Sequence, residues 1–301
     1  MALLQVENLV TQFSMRTTSV KAVDDFSLNI EEGECVGIVG ESGCGKTTAG
    51  LSIMRLLPRN GKIIGGSVIF EGQDLAKLSE KTMQGVRGEH IALIPQDPMT
   101  SLNPVQRIGQ QVGEGYRIHR GASKKASLER ALEVLRLVEM PNPEERLNQY
   151  PHELSGGLRQ RVMIAMGLVC DPKVLIADEP TTALDVTIQA QILDILDGLR
   201  EKLGMAVILI THDMGVIAGR TDRVTVMYAG KAAEEASTEV LFSKMRHPYT
   251  QALLDSVPDL TDVATDRLRS IPGLPPDLSQ EIVGCRFAPR CSYAKADCLV
   301  E

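Results

Sequence analysis

The sequence predicts an α/β fold built on a mostly parallel sheet, and three observations carry that expectation. Short apolar runs recur: Cys35–Val39 (CVGIV), Lys173–Ala177 (KVLIA) and Met205–Ile210 (MAVILI) have the length and composition of buried strands. A helical stretch follows the first run, from about Lys46 to Leu57. Another, Thr187–Leu203, separates the other two, with Ile188, Ile192, Ile195, Leu196 and Leu199 on one face. Strands that alternate with helices need crossover connections, which make their neighbours parallel.

The remaining elements follow in chain order. Leu3–Val10 and Val20–Ile30 read as strands around a turn-rich Arg16–Ser19. Cys35–Val39 ends in a glycine-rich loop. Ser67–Phe70 and His90–Ile94 read as further strands. From about Pro104 to Pro151 the pattern turns helical, with Leu128, Leu132, Leu135 and Val138 at spacings of three and four and with Pro141, Pro143 and Pro151 as punctuation. This region is expected to be an inserted helical subdomain. A helix from Arg161 to Val169 follows Ser155, and the α/β pattern resumes. Beyond about Ser237 the chain becomes Pro-rich and reads as a loop-like accessory tail, outside the core. There are no internal repeats and no low-complexity tract.

Composition excludes several functions. With 32 Lys and Arg against 39 Asp and Glu, the net charge is −7, the wrong sign for a chain that neutralises nucleic-acid phosphates. Aromatic residues make up 3% and Trp is absent, which disfavours stacking platforms for single strands or sugars. No apolar run approaches the roughly 20 residues that cross a bilayer, and the Met1 end lacks a basic-then-apolar signal pattern. An intracellular chain is expected, whose membrane role would come through a partner. Cys35, Cys44 and Cys170 are scattered, whereas Cys285, Cys291 and Cys298 cluster in the tail. In a reducing compartment that cluster suggests a metal site or free thiols rather than disulfides.

Three motifs carry chemistry. Gly40-Glu41-Ser42-Gly43-Cys44-Gly45-Lys46-Thr47, followed by Thr48, matches G-x-x-x-x-G-K-S/T between a strand and a helix. Its glycines let backbone N–H groups turn inward around phosphate oxygens, and the helix N-terminus adds a favourable dipole. Lys46 is expected to reach the β- and γ-phosphates and the Thr47 hydroxyl to ligate Mg²⁺. The second motif, Val174 to Pro180, is an apolar strand ending in Asp178 and Glu179. Asp178 suits a hydrated Mg²⁺ and Glu179 suits polarisation of an attacking water; acids at a strand end are also common without such a role. The third is Leu154-Ser155-Gly156-Gly157 before a helix. It is either an ordinary cap or a second anion site. One nucleotide has one γ-phosphate, already assigned to Lys46, so a second site points to a partner's nucleotide.

In this order and spacing the motifs resemble the ABC transporter ATPase family over residues 3 to 256. The resemblance implies a P-loop NTPase fold: a RecA-like α/β core with an antiparallel β subdomain, an inserted helical subdomain at about 97–165 within an ATPase domain of 1–236, and a C-terminal extension of 237–301. It implies ATP and Mg²⁺ as cofactors, ATP hydrolysis coupled to transport, Gln96 as a sensor of γ-phosphate and Mg²⁺, and His212 as a γ-phosphate contact. It also makes Phe13 the adenine-stacking aromatic and Ala183-Leu184-Asp185 a loop crossing to the dimer partner. QDPMTSLNPV (96–105), YPHELSGG (150–157), ADEPTTALDVTIQAQIL (177–193) and HPYTQALL (247–254) are similar to the ATPase subunits of bacterial dipeptide and oligopeptide importers, with nickel importers as close relatives. Gly157 followed by LRQRVMIAM resembles the D-type subunit of such pairs.

The implied partners are a second ATPase subunit (a paralogous F-type chain), two membrane permeases and, indirectly, a substrate-binding protein. The implied place is the cytoplasmic face of the inner membrane, held peripherally. Two departures stand out: Phe13 where Tyr is common, and Cys44 where Ser is usual. Cys44 puts a thiol among phosphate-binding amides, where raised reactivity is expected. The tail Cys285-x5-Cys291-x6-Cys298 resembles the Cys-rich end of these subunits, some of which hold a 4Fe–4S cluster. Three cysteines leave an iron–sulfur cluster, zinc and free thiols all open, and Glu301, three residues past Cys298, looks like a truncation. Arg286 and Arg290 between the cysteines would offset a cluster's charge or be solvated. The rival reading is a soluble ABC ATPase of DNA repair or translation. A single cassette, with no heptad run and with the QDPMTSLNP segment, argues against it.

Overall fold

The computed structural model describes residues 2–182, 184–256, 271–280 and 282–300. Ten strands are formed: β1 (Leu4–Ser14), β2 (Ser19–Ile30), β3 (Cys35–Val39), β4 (Gly61–Phe70), β5 (Gln73–Asp74), β6 (Ile91–Ile94), β7 (Val174–Asp178), β8 (Ala206–Thr211), β9 (Arg223–Tyr228) and β10 (Lys231–Ser237). The helices are α1 (Lys46–Ile53), α2 (Glu80–Val86), α3 (Pro98–Ser101), α4 (Ile108–Arg120), α5 (Lys124–Leu137), α6 (Pro143–Arg146), α7 (Gly156–Leu168), α8 (Val186–Leu203), α9 (Met214–Ile217), α10 (Thr238–Lys244) and α11 (Pro248–Asp255). The chain divides into two compact units, one of Met1–Ile30, Cys35–Lys77 and Ile210–Glu301, the other of Glu31–Glu34 and Leu78–Leu209.

In the first unit an antiparallel sheet runs in the order β2-β1-β4-β5. Its register pairs Leu4 with Ile30 on one side and Phe70 on the other, stacking three buried apolar side chains across the sheet. β3 is buried along its whole length and lies parallel to β9, with Val39 opposite Val226; β10 returns antiparallel to β9. Such fully buried parallel strands are what continuous apolar runs such as CVGIV encode. Helix α1 packs on β1 and β2, and a buried Thr11–Ser52 hydroxyl contact of 2.8 Å ties it to β1.

In the second unit β6 and β7 are parallel and in register from Ile91–Val174 to Ile94–Ala177. Five helices, α3 to α7, lie between these strands in the chain. The α5 stripe is buried at Ala131, Val134 and Leu135, with Val138 just past its end. Helix α7 starts at Gly156, five residues before the expected Arg161. The reason is local: Ser155 is extended and its Oγ accepts the Leu158 N–H, so the glycines become the first helical turn.

The tail departs from its loop-like expectation. Thr238–Lys244 and Pro248–Asp255 are helices, because Pro248 occupies the first turn, where its missing N–H costs nothing, and the His247 Nδ1 accepts the Tyr249 N–H at 3.1 Å. Nor does the tail lie outside the core: Tyr249 is fully buried and Phe287 is 3% exposed. Their rings cluster with that of Tyr228 at centroid distances of 4.5 to 5.3 Å, the offset and edge-on range that favours aromatic pairs.

Candidate functional site

The glycine-rich loop is held by the strand beside it. Because β3 and β9 are parallel, residues just past Val39 meet residues just past Val226. A Cβ on Gly40 would stand 2.2 Å from the Met227 carbonyl oxygen, and one on Gly45 would stand 2.4 Å from that of Ala22. Gly45 is also left-handed, at φ +110. Only glycine fits either position. The Gly230 N–H, just past β9, donates to the Cys44 carbonyl at 2.8 Å, closing the support.

Within this loop Lys46 is 5% exposed, and its Nζ donates to the carbonyls of Gly40 (2.7 Å) and Glu41 (3.0 Å). A buried ammonium inside a ring of backbone groups suits an anionic, oxygen-rich ligand. Gly45 caps α1 and has no side chain to claim the first helical amides, so those N–H groups remain for phosphate oxygens. Ser42, Gly43 and Thr47 are exposed, and Thr48 is half-buried. Thr47 carries a hydroxyl, and in the other unit Asp178 and Gln96 carry a carboxylate and an amide oxygen; each is by type a hard donor of the kind Mg²⁺ takes.

Cys44 corrects an expectation. Its thiol is 5% exposed and turned inward, close enough to Gly40 that a Cβ there would meet Sγ at 2.8 Å. Burial pushes its pKa above the ordinary thiol value, and the nearby Lys46 charge only partly offsets this. Cys44 is therefore a shielded, protonated thiol, not an activated one.

In-register pairing also builds the second motif. Ile94 faces Ala177, so Gln96 and Glu179, each two residues further on, leave β6 and β7 side by side. Gln96 Nε2 donates to Glu179 Oε2 at 2.8 Å, and Thr182 Oγ1 donates to the same oxygen at 2.9 Å. Glu179 is half-buried at φ +47, a strained backbone for a residue with a side chain. Asp178, the last residue of β7, is 4% exposed. His212 follows β8 and is exposed, next to Asp213, whose carboxylate caps α9.

The third motif opens outward. Ser155 and Gly156 are exposed at the N-terminus of α7, and Leu184 lies against Gly156. Asp185 caps α8 through the Ile188 N–H at 3.0 Å; Ala183, expected in the same loop, lies outside the described residues. Phe13 is half-buried near the end of β1, paired with Val20 and Gly61, and its ring leans over Gly61.

The tail cysteines do not fit the metal-site expectation. Cys285, Cys291 and Cys298 are half-buried free thiols, and among the described residues no three His, Cys, Asp or Glu side chains converge as a metal site. Cys285 and Cys298 meet through the backbone instead, N–H to carbonyl at 2.8 Å. Nor are the intervening arginines solvated: Arg286 pairs with Asp24 and Arg290 with Glu41. Sequence reading passed over Tyr249, whose hydroxyl accepts the Glu41 N–H at 2.8 Å, although the HPY tripeptide marked its position.

Comparison with known proteins agrees with this geometry. The ABC transporter profile matches residues 23–182, and the profile of the oligopeptide/dipeptide transporter C-terminal region matches 233–298. A probable peptide ABC transporter ATP-binding protein of Sinorhizobium fredii is 53% identical over 297 residues, covering 98% of this chain and 89% of its own. The oligopeptide transport ATP-binding protein OppD of Bacillus subtilis is 50% identical over 293 residues, covering 97% and 82%. Among solved structures, the dimeric post-hydrolysis state of an ATP-binding cassette bound to ADP and Pi superposes with a TM-score of 0.70 at 31% identity, over 78% of this chain and 98% of that one.

Proposed function

We propose a working cycle for a chain that belongs to the ABC transporter family, as the ATP-hydrolysing subunit of an oligopeptide importer. The observation that carries hydrolysis is the oriented carboxylate of Glu179, held on one oxygen by Gln96 and Thr182. A carboxylate fixed in this way can polarise a water for in-line attack on the γ-phosphorus. Lys46 and the amides of Gly45–Thr48 at the start of α1 neutralise the phosphates, and His212 adds a γ-phosphate contact. Mg²⁺ would be held by Thr47, Asp178 and Gln96, and would supply positive charge against that of the phosphates. Phe13 would stack on adenine.

The helix start at Ser155–Gly157, exposed at Ser155 and Gly156, supports a head-to-tail pair of ATPase subunits, each offering this loop to the other's nucleotide. The partner would be a paralogous F-type subunit. The dimeric cassette structure supports such a pairing. Among the described residues no helix is long and apolar enough to cross a membrane, so force must pass to permease subunits. The segment after Gln96 suits that contact: Met99 is 65% exposed and Val105 83%, apolar side chains available to a partner. Peripheral attachment to the cytoplasmic face, two permeases and a substrate-binding protein complete the assembly. Di- and oligopeptides are the cargo favoured by the relatives' names, over nickel.

Glu179→Gln tests the assignment. The variant should bind MgATP as well as the native protein and lose steady-state ATPase activity on the order of 10²-fold or more. It should also accumulate as an ATP-bound dimer on gel filtration. Turnover within a few-fold of native would remove Glu179 from the reaction.

A further inference from the structure

The phosphate loop contains a residue of the wrong charge for its ligand. Glu41 directly follows Gly40 in the ring of backbone groups, and a carboxylate there repels the phosphates of ATP. The tail answers this. Arg290, 249 residues later, has a side chain only 4% exposed, which grips Glu41 with two parallel bonds, Nη1 to Oε2 at 2.6 Å and Nη2 to Oε1 at 3.0 Å. The remaining donors are also used: Nε reaches the Pro272 carbonyl at 2.9 Å, Nη2 the Ile271 carbonyl at 3.3 Å and Nη1 the Tyr228 hydroxyl at 3.3 Å. The guanidinium lies 5.8 Å from the Tyr228 ring centroid. Burying a guanidinium is costly, and this one persists because each face of it is satisfied. Tyr249 of α11 holds the Glu41 backbone from the same side, through its N–H.

We propose that Arg290 is a positioning residue of the ATP site: by pairing with Glu41 it neutralises the one carboxylate of the phosphate loop and turns it aside, so that ATP affinity depends on a docked C-terminal tail. The proposal rests on the reading of Gly40–Thr47 as the nucleotide site. It gives the tail a task in the ATPase cycle that needs neither a metal nor a redox step. Displacing Arg290 returns a free negative charge to the loop and weakens nucleotide binding without touching a group that contacts ATP.

The test is a charge cycle on the full-length chain, with MgATP affinity measured by calorimetry at low and high salt. Arg290→Gln should weaken MgATP about tenfold, the size of one uncompensated charge near a screened phosphate chain, with the loss largest at low salt. Glu41→Gln should tighten it a few-fold, because Arg290 is then an unopposed cation. The double variant should return to within about twofold of native. In the assembled importer, Arg290→Gln should raise KM for ATP and hold kcat. If the pair merely glues the tail down, Glu41→Gln will weaken binding as Arg290→Gln does, and the proposal fails. Should Arg290→Gln fold poorly by thermal melt, Glu41→Gln alone decides: tightening supports the proposal, and loss or no change overturns it. Lys46→Ala separates the underlying reading, because normal MgATP affinity in that variant would discard the nucleotide site itself.

Discussion

Two glycine-bearing loops each open a helix in this protein, and they are built for opposite exposures. At Gly40–Lys46 the loop is enclosed: backbone oxygens of Met227 and Ala22 stand where side chains at Gly40 and Gly45 would be, and Lys46 and Cys44 are buried. At Ser155–Gly157 the loop is open: Ser155 and Gly156 are exposed, and a Cβ on Gly156 would meet only the Leu184 side chain, at an ordinary 3.4 Å. Both place helix N–H groups where an anion would be favoured. The enclosed loop has a buried cation and a rigid wall, which suit a ligand held by the chain itself. The open one has neither, which suits its proposed role as a half-site completed by a second subunit.

Four experiments test this contrast, and the largest effect falls on the open loop. Gly156→Asp puts a carboxylate where a partner's γ-phosphate would dock. ATPase activity of the assembled importer should drop on the order of 10²-fold, while MgATP affinity of the isolated chain stays within about twofold. A large affinity loss in the isolated chain would place both loops on one nucleotide and collapse the distinction.

Alanine at the two loops should separate them next. Gly45→Ala forces a Cβ against the Ala22 carbonyl at φ +110 and should destabilise the fold by about 2–3 kcal/mol. Gly156→Ala sits in the first turn of α7 with only an ordinary contact to Leu184 and should stay within about 0.5 kcal/mol of native. Urea melts of the two variants report the difference directly.

Enclosure also sets thiol chemistry. Since burial shields the Cys44 thiol and raises its pKa, iodoacetamide at pH 8 should label it more slowly than a free peptide cysteine, with the rate still climbing at pH values where that cysteine has levelled off. The linkage has the matching sign. A folded pKa above the unfolded one contributes stability that is complete below the unfolded value and is lost as pH rises through the folded value. Cys44→Ser should therefore flatten part of the alkaline loss of stability. Fast labelling at neutral pH would mean the loop opens readily.

The smallest effect belongs to the Ser155 cap. Its hydrogen bond to the Leu158 N–H is long, at 3.5 Å, so Ser155→Ala should cost about 0.5 kcal/mol, the low end for a cap. A larger stability loss would make the serine a structural anchor of α7 rather than a group kept open for a ligand.

Much of this was legible along the chain. The strand–loop–helix at Cys35–Ile53 and the apolar runs at β7 and β8 appear where periodicity and glycine placement put them, because buried parallel strands need unbroken apolar sequence. Gln96 and Glu179 were each singled out by motif, yet their contact came from the in-register pairing of β6 with β7, 83 residues apart. The start of α7 was misplaced because glycines read as loop until a serine cap commits them to a helix. The tail was misjudged for a similar reason: prolines read as breaks, although Pro248 begins a helix.

What the sequence by itself determined was the chemistry: a glycine-and-lysine cradle for phosphate, acids at a strand end, and a family order of motifs, all local patterns whose meaning survives without coordinates. Only the tertiary structure decided polarity and partnership. It turned the Cys44 thiol inward and silenced it, and it left Ser155 open. It also brought Arg290 and Tyr249 from the tail onto Glu41 of the phosphate loop. Charge pairing and burial depend on distances in space, and no spacing along the chain encodes a contact across 249 residues.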